Sequence, residues 1–136
     1  MKGDNLDKTA IMDYLIGDWH CKSVLTDDQG IREEAYKETI IKKDRDTLSI
    51  TAFGIREGEN VTKPMVFKEK GDDIYMIQGD FKARGKATKN ALYLIGQNDN
   101  KTYNFRLYFL KNVFLYQMEA IQNGKILSTN ASFLTR

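Results

Sequence analysis

The sequence predicts an all-β fold in a single domain spanning 1–136: a ten-stranded antiparallel up-and-down (meander) β-barrel with a short N-terminal helix. Three observations predict it. Segments rich in Val, Ile, Thr, Tyr and Phe recur from Trp19 onward, many of them alternating apolar and polar residues. Compact clusters of Gly, Asn and Asp separate them, and these residues suit the backbone angles of tight turns. Every connection is short, so each strand pairs with the one before it. Ten strands laid out this way leave two long unpaired edges, which closure into a barrel removes. An open sandwich is the rival arrangement. A Greek key needs a longer crossover than any connection here supplies.

Residues 1–17 read as a helical segment capping the barrel. Asn5 is placed to cap the helix, Leu6, Ala10, Ile11, Tyr14 and Leu15 fall at helical spacing, and Gly17 ends it. The period then changes. Turn clusters delimit strands near 18–26, 31–42, 47–55, 61–70, 73–78, 81–87, 91–97, 103–110, 113–121 and 125–135. The Asn123-Gly124 pair is a strong hairpin signal, because both central positions of such a turn take positive φ.

Alternation assigns the inner face of several strands. Trp19, Cys21, Ser23 and Leu25 oppose His20 and Lys22. Val61, Met65 and Phe67 oppose Thr62 and Lys68, with Lys63 joining the apolar face, and Phe81, Ala83, Gly85 and Ala87 oppose Lys82, Arg84 and Lys86. Phe114, Tyr116, Met118 and Ala120 oppose Gln117 and Glu119. Alternation leaves the strands near 91–97, 103–110 and 125–135 open. In the last, Leu127, Thr129, Ala131 and Phe133 oppose Ser128, Asn130 and Ser132. A barrel of this size either fills its interior or holds one small ligand. The small residues of 81–87 favour a void, and they would equally make room for large side chains opposite.

Composition narrows the chemistry. One Cys and one His among 136 residues leave no intrachain disulfide and no multi-cysteine or multi-histidine metal site. Twenty-one basic against 19 acidic residues give a net charge of +2, too mild to imply nucleic acid. No apolar run reaches the ~20 residues of a membrane helix, and no signal-peptide pattern opens the chain. The expectation is therefore a cytoplasmic protein with no stable membrane insertion, no nucleic-acid partner, no metal and no cofactor. P-loop, Gly-X-Gly-X-X-Gly, zinc and calcium motifs are all missing from the sequence.

Gly17-Asp18-Trp19 opens the first strand directly after the helix, and Leu134-Thr135-Arg136 closes the last. In this the chain resembles the calycin superfamily, which includes the lipocalins and fatty-acid-binding proteins. In that superfamily a Gly-X-Trp motif starts the first strand, and a basic residue on the last packs across the Trp. The resemblance implies a lipocalin-like barrel with Trp19 and Arg136 as a structural pair at its base, joined by cation–π contact and packing. The chain is more similar to small bacterial lipocalin-like domains and nitrobindin-like barrels. It lacks the helix pair that fatty-acid-binding proteins insert after the first strand, and no His follows His20 to hold haem in the nitrobindin manner.

The expected function is non-catalytic binding of a small hydrophobic or amphipathic molecule in the barrel. Met65, Phe67, Phe81, Tyr116 and Met118 are the expected lining. Fatty-acid-binding proteins hold a ligand carboxylate with Arg and Tyr, so the resemblance makes Arg106, Tyr108 and Tyr116 candidate anchors. Alternation favours an outward Arg106. One alternative is an enzyme on the same barrel (an isomerase, lyase or decarboxylase) using an inward Arg, Tyr or Glu119. Another is a filled barrel serving as an interaction module, with a homodimer formed through an apolar outer wall. His20 reads as a surface residue and Cys21 as a small buried hydrophobe.

Overall fold

The computed structural model of the chain describes residues 8–56, 59–62, 65–88 and 90–136. Helix α1 spans Lys8–Leu15. The expected cap Asn5 and stripe residue Leu6 lie outside the described residues. The strands are β1 (Gly17–Asp27), β2 (Gly30–Asp44), β3 (Thr47–Arg56), β4 (Glu59–Thr62), β5 (Met65–Lys70) and β6 (Asp73–Gln78). Then come β7 (Phe81–Thr88), β8 (Ala91–Asn98), β9 (Lys101–Leu110), β10 (Val113–Gln122) and β11 (Lys125–Thr135). Apart from β4 and β5, which both pair with β3, successive strands pair antiparallel, and β1 pairs with β11 to close the ring.

The eleven segments make ten staves. β4 and β5 lie along one edge of β3, against residues 53–56 and 47–50 respectively. Both keep one register against β3, as a single stave does, and residues 63 and 64 between them lie outside the described residues. The result is the closed antiparallel meander barrel that the turn spacing predicts. Asn90, Asp99, Asn112 and Asn123 sit in turns at φ of 57°, 56°, 60° and 53°. Asn and Asp tolerate that region better than other side chains. Among the described residues no helix is long and apolar enough to cross a membrane.

One end of the barrel is sealed by α1. Ile11 and Leu15 are fully buried, and Trp19 beneath them is equally inaccessible. The Trp19 indole Nε1–H donates to the Leu15 carbonyl at 2.9 Å, and its ring meets Phe114 edge-on at 4.6 Å. Arg136 lies across the outside of this seal. Its guanidinium carbon stands 4.0 Å from the Trp19 ring centroid and 5.4 Å from that of Tyr14. Its nitrogens donate to the Ile16 carbonyl at 3.0 Å and to the Tyr14 carbonyl. The Tyr14 hydroxyl reaches the Leu110 and Val113 carbonyls on either side of the β9–β10 turn. Gly17, at φ 134°, makes the corner between helix and strand. That positive φ is what calls for glycine, since the nearest atom to a Cβ there, at 2.7 Å, is the end of the flexible Arg136 side chain.

The small residues of β7 serve this sealed end. Ala83 is fully buried and α1 packs against β7. At Gly85 the position of a Cβ falls 1.6 Å from the Tyr93 carbonyl oxygen of β8. The two backbones therefore approach where a side chain would begin, and the void lies elsewhere.

Candidate functional site

Beyond the plug, the barrel encloses a cavity of about 450 Å³. That is within the ~300–1,000 Å³ typical of small-molecule sites. Its apolar wall comes from Ile50 on β3, Met65 and Phe67 on β5, Phe81 on β7, Phe105 and Leu107 on β9, and Phe114 and Met118 on β10, with Leu15 of α1 as part of its floor. Gln78, Asn98 and Tyr103 lie toward the unplugged end. Aromatic edges organise this wall: Phe81 meets Tyr103 at 5.2 Å, and Phe105 meets Tyr116 at 6.1 Å.

A polar wall faces the aromatic one across β1, β2, β10 and β11. Tyr36, Glu38, Tyr116, Asn130 and Ser132 all line the cavity. Cross-strand pairing places them: Cys21 faces Tyr36, Trp19 faces Glu38, Ser23 faces Ser132 and Leu25 faces Asn130. Directly paired residues share a sheet face, so the inward set of β1 carries its partners inward. Ser23, Ser132 and Asn130 form a hydrogen-bonded triangle with edges of 3.1, 2.8 and 3.2 Å. The Cys21 thiol hydrogen-bonds with Tyr36 and Ser132.

Ionisation inside follows from burial and nearby carboxylates. Burial pushes the Cys21 thiol up to about 11, with the Glu38 charge adding to the rise. Burial also raises the Tyr36 and Tyr116 phenols above their ordinary range, and Glu38 raises both further. Both therefore stay protonated at neutral pH and can donate hydrogen bonds. An unreactive thiol follows. At pH 8 a thiol reagent is expected to modify Cys21 at least ~100-fold more slowly in the native protein than after denaturation, since thiolate and access are both withheld. Reaction at the denatured rate would contradict the buried placement.

Of the residues expected to line the site, Met65, Phe67, Phe81, Tyr116 and Met118 do line it. Arg106 and Tyr108 do not, and the expectation that either anchors a ligand inside is corrected here. On β9 the inner positions are taken by Phe105, Leu107 and Phe109. Arg106 therefore points outward and pairs with Glu119 of β10 at 3.2 Å, while Tyr108 meets Tyr93 edge-on at 6.1 Å on the outer wall. Glu119 is accordingly no interior base, and His20 is exposed. Trp19 and Arg136 sit together at the sealed end. The residues missed from sequence are Tyr36, Glu38, Asn130 and Ser132.

No protein-family model matches this chain, and no curated protein matches it in sequence. Solved structures share its fold. The S-type phycobiliprotein lyase CPES from Guillardia theta superposes with a TM-score of 0.77 at 12% identity, covering 96% of this chain and 93% of that one. A protein of unknown function from the DUF3598 family of Nostoc punctiforme superposes at 0.69 and 13% identity, over 92% of this chain. The match spans 48% of that longer protein. A redesigned β-barrel, mFAP1, bound to DFHBI, superposes at 0.50 and 15% identity, covering 92% and 97%. At these identities the likeness is one of fold.

Proposed function

We propose that this barrel, which resembles the calycin group, binds one small, largely apolar molecule in its interior without transforming it. The observation that carries the reading is the cavity itself: about 450 Å³, aromatic and aliphatic on one side, with a few polar groups gathered on the other. Pockets of that make-up enclose drug-sized ligands. The comparison with a DFHBI-bound barrel of the same fold supports it. Binding is favoured over catalysis because the interior thiol is held protonated and no inward histidine stands ready as a base. The outer row formed by Tyr108, Leu115 and Phe133, paired across β9, β10 and β11, is the surface a second copy would cover.

The test is titration with Nile red, a neutral fluorophore that brightens in apolar surroundings. One saturable site per chain is expected. Met118→Trp, which fills the cavity, should weaken it at least ~10-fold, whereas Arg106→Ala, on the outer wall, should leave it within about twofold. Non-saturating fluorescence, or equal affinity in wild type and Met118→Trp, would sink the reading. Native mass spectrometry of the protein as purified would show any molecule already carried.

A further inference from the structure

We propose that the outer wall formed by β5, β6, β7 and β8 is a docking surface for an anionic lipid bilayer, on which the protein lies without inserting. This surface is the outside of the barrel, so nothing in it depends on what the cavity holds. It is also separate from the outer row on β9, β10 and β11 named above. Two observations carry the proposal.

First, cations gather on this wall. Its outward positions carry Lys68, Lys70, Lys82, Arg84 and Lys86, all exposed, against one carboxylate, Asp73. These five stand in a chain whose net charge is only +2. Asp73 lies 3.5 Å from Arg84 and 3.8 Å from Lys86, yet the two basic side chains stay 66% and 69% exposed. Asp72 and Asp80 sit in the turns that bracket β6, and counting both still leaves five cations to three acids. Second, apolar groups stand between the cations. Directly paired residues share a sheet face. Lys68, Tyr75, Arg84 and Ile95 therefore follow one another in a row across the four strands, and Val66, Ile77 and Lys82 form the next row. Lys86 pairs with Tyr93. Ile95 is 60% exposed and Tyr93 43%. Along β7 alone only the basic stripe is visible, and cross-strand pairing is what sets rings and aliphatic chains among its charges.

This mixture names the partner. Lys and Arg heads are drawn to acidic headgroups, and their alkyl stems lie along apolar surface. Tyrosines suit the boundary between headgroups and acyl chains, where the ring is buried and the hydroxyl stays wet. Val66, Ile77 and Ile95 gain by entering that boundary, whereas a nucleic-acid strand offers them phosphate and bases that call for stacking rings. A surface anionic outside and apolar just beneath meets both halves of the wall at once.

The experiment is co-sedimentation of the full chain with vesicles, either of phosphatidylcholine alone or of phosphatidylcholine and phosphatidylserine in equal parts. At pH 7 and about 0.1 M salt, where charges more than ~10 Å apart are largely screened, the acidic vesicles are expected to bind at least ~10-fold tighter than the neutral ones. Lys82→Glu combined with Lys86→Glu should weaken binding to the acidic vesicles at least ~10-fold. Lys22→Glu combined with Lys125→Glu changes the net charge equally on exposed positions of β1 and β11, and should stay within about threefold of wild type. A melting transition checks that each variant is folded. Equal binding to both vesicle types, or binding to neither, overturns the proposal. Equal losses in the two double variants also overturn it, because net charge and not this wall would then be responsible. Polyuridylate that strips the protein from acidic vesicles at equal phosphate concentration would assign the wall to nucleic acid, which overturns it too. Whether Nile red binds inside the barrel alters none of these readouts, so failure here and failure of the binding reading are told apart.

Discussion

Replacing Trp19 with alanine is expected to cost about 3–5 kcal/mol, the range for emptying a buried indole site. For a chain of this length that is a fall in Tm of roughly 10–20 °C. The ring is wholly inaccessible, so its entire apolar surface is withdrawn from water. Its Nε1–H is satisfied only by the end of α1, at 2.9 Å from the Leu15 carbonyl. Removing the indole leaves a cavity next to Phe114 and takes away the surface on which Arg136 rests. The helix then loses a hydrogen bond, a packing partner and its clamp together. Arg136→Ala should do less, because the guanidinium is exposed and its partners can turn to water. A double-mutant cycle of Trp19→Phe with Arg136→Ala, read by urea denaturation, should show coupling between the two. Strict additivity would mean that the stacking contributes nothing. Wild-type stability in Trp19→Ala would overturn this account of the seal.

A second large effect is expected from a single methyl group. Gly85→Ala places a Cβ where the Tyr93 carbonyl oxygen stands, at 1.6 Å. The obstacle is backbone, which cannot rotate aside as a side chain would. β7 must move away from β8, disturbing the pairing of Gly85 with Leu94 and of its neighbours. The cost is expected to be at least about 3 kcal/mol, the upper part of the range for overpacking. Thermal denaturation followed by far-ultraviolet circular dichroism would measure it. A loss under about 1 kcal/mol would mean that β7 and β8 separate easily and that the close approach is not structural. Ala83→Gly, on the same face, should cost far less, because it opens space and displaces nothing.

The layout of strands was legible because turn chemistry is local. Asp, Asn and Gly mark turns by their own backbone preferences, so their spacing could be read without knowing the fold. The inner lining was legible wherever a strand alternates cleanly, as Met65, Phe67, Phe81, Tyr116 and Met118 do. The polar wall was not, because it depends on which residue faces which across strands. Ser132 and Asn130 look like a solvated face on β11 alone, opposite the apolar Leu127 and Phe133. Closure settles the face that alternation leaves open. Once Cys21 pairs with Leu134 and Ser23 with Ser132, the polar set goes inward and Phe133 goes out, 55% exposed. Tyr36 and Glu38 carried a usable signal that went unread. The tight turn at Asp28-Gln29 sets Asp27 against Gly30 and so brings Glu38 opposite the inward Trp19. Arg106 was a candidate anchor only through the resemblance, and its pairing with Glu119 agrees with the outward placement that alternation favours.

The seam between β1 and β11 has a consequence for how the barrel is made. It joins residues as far apart in the chain as His20 and Thr135. Hairpins between successive strands can form locally and early, but this ladder must wait for its two most distant strands to meet. Contacts of such long range slow the search for the native state. A sheet without that ladder would keep two free edges, the feature most exposed to pairing with another copy. The final ladder that turns a sheet into a container is also the step that withdraws its edges from other chains.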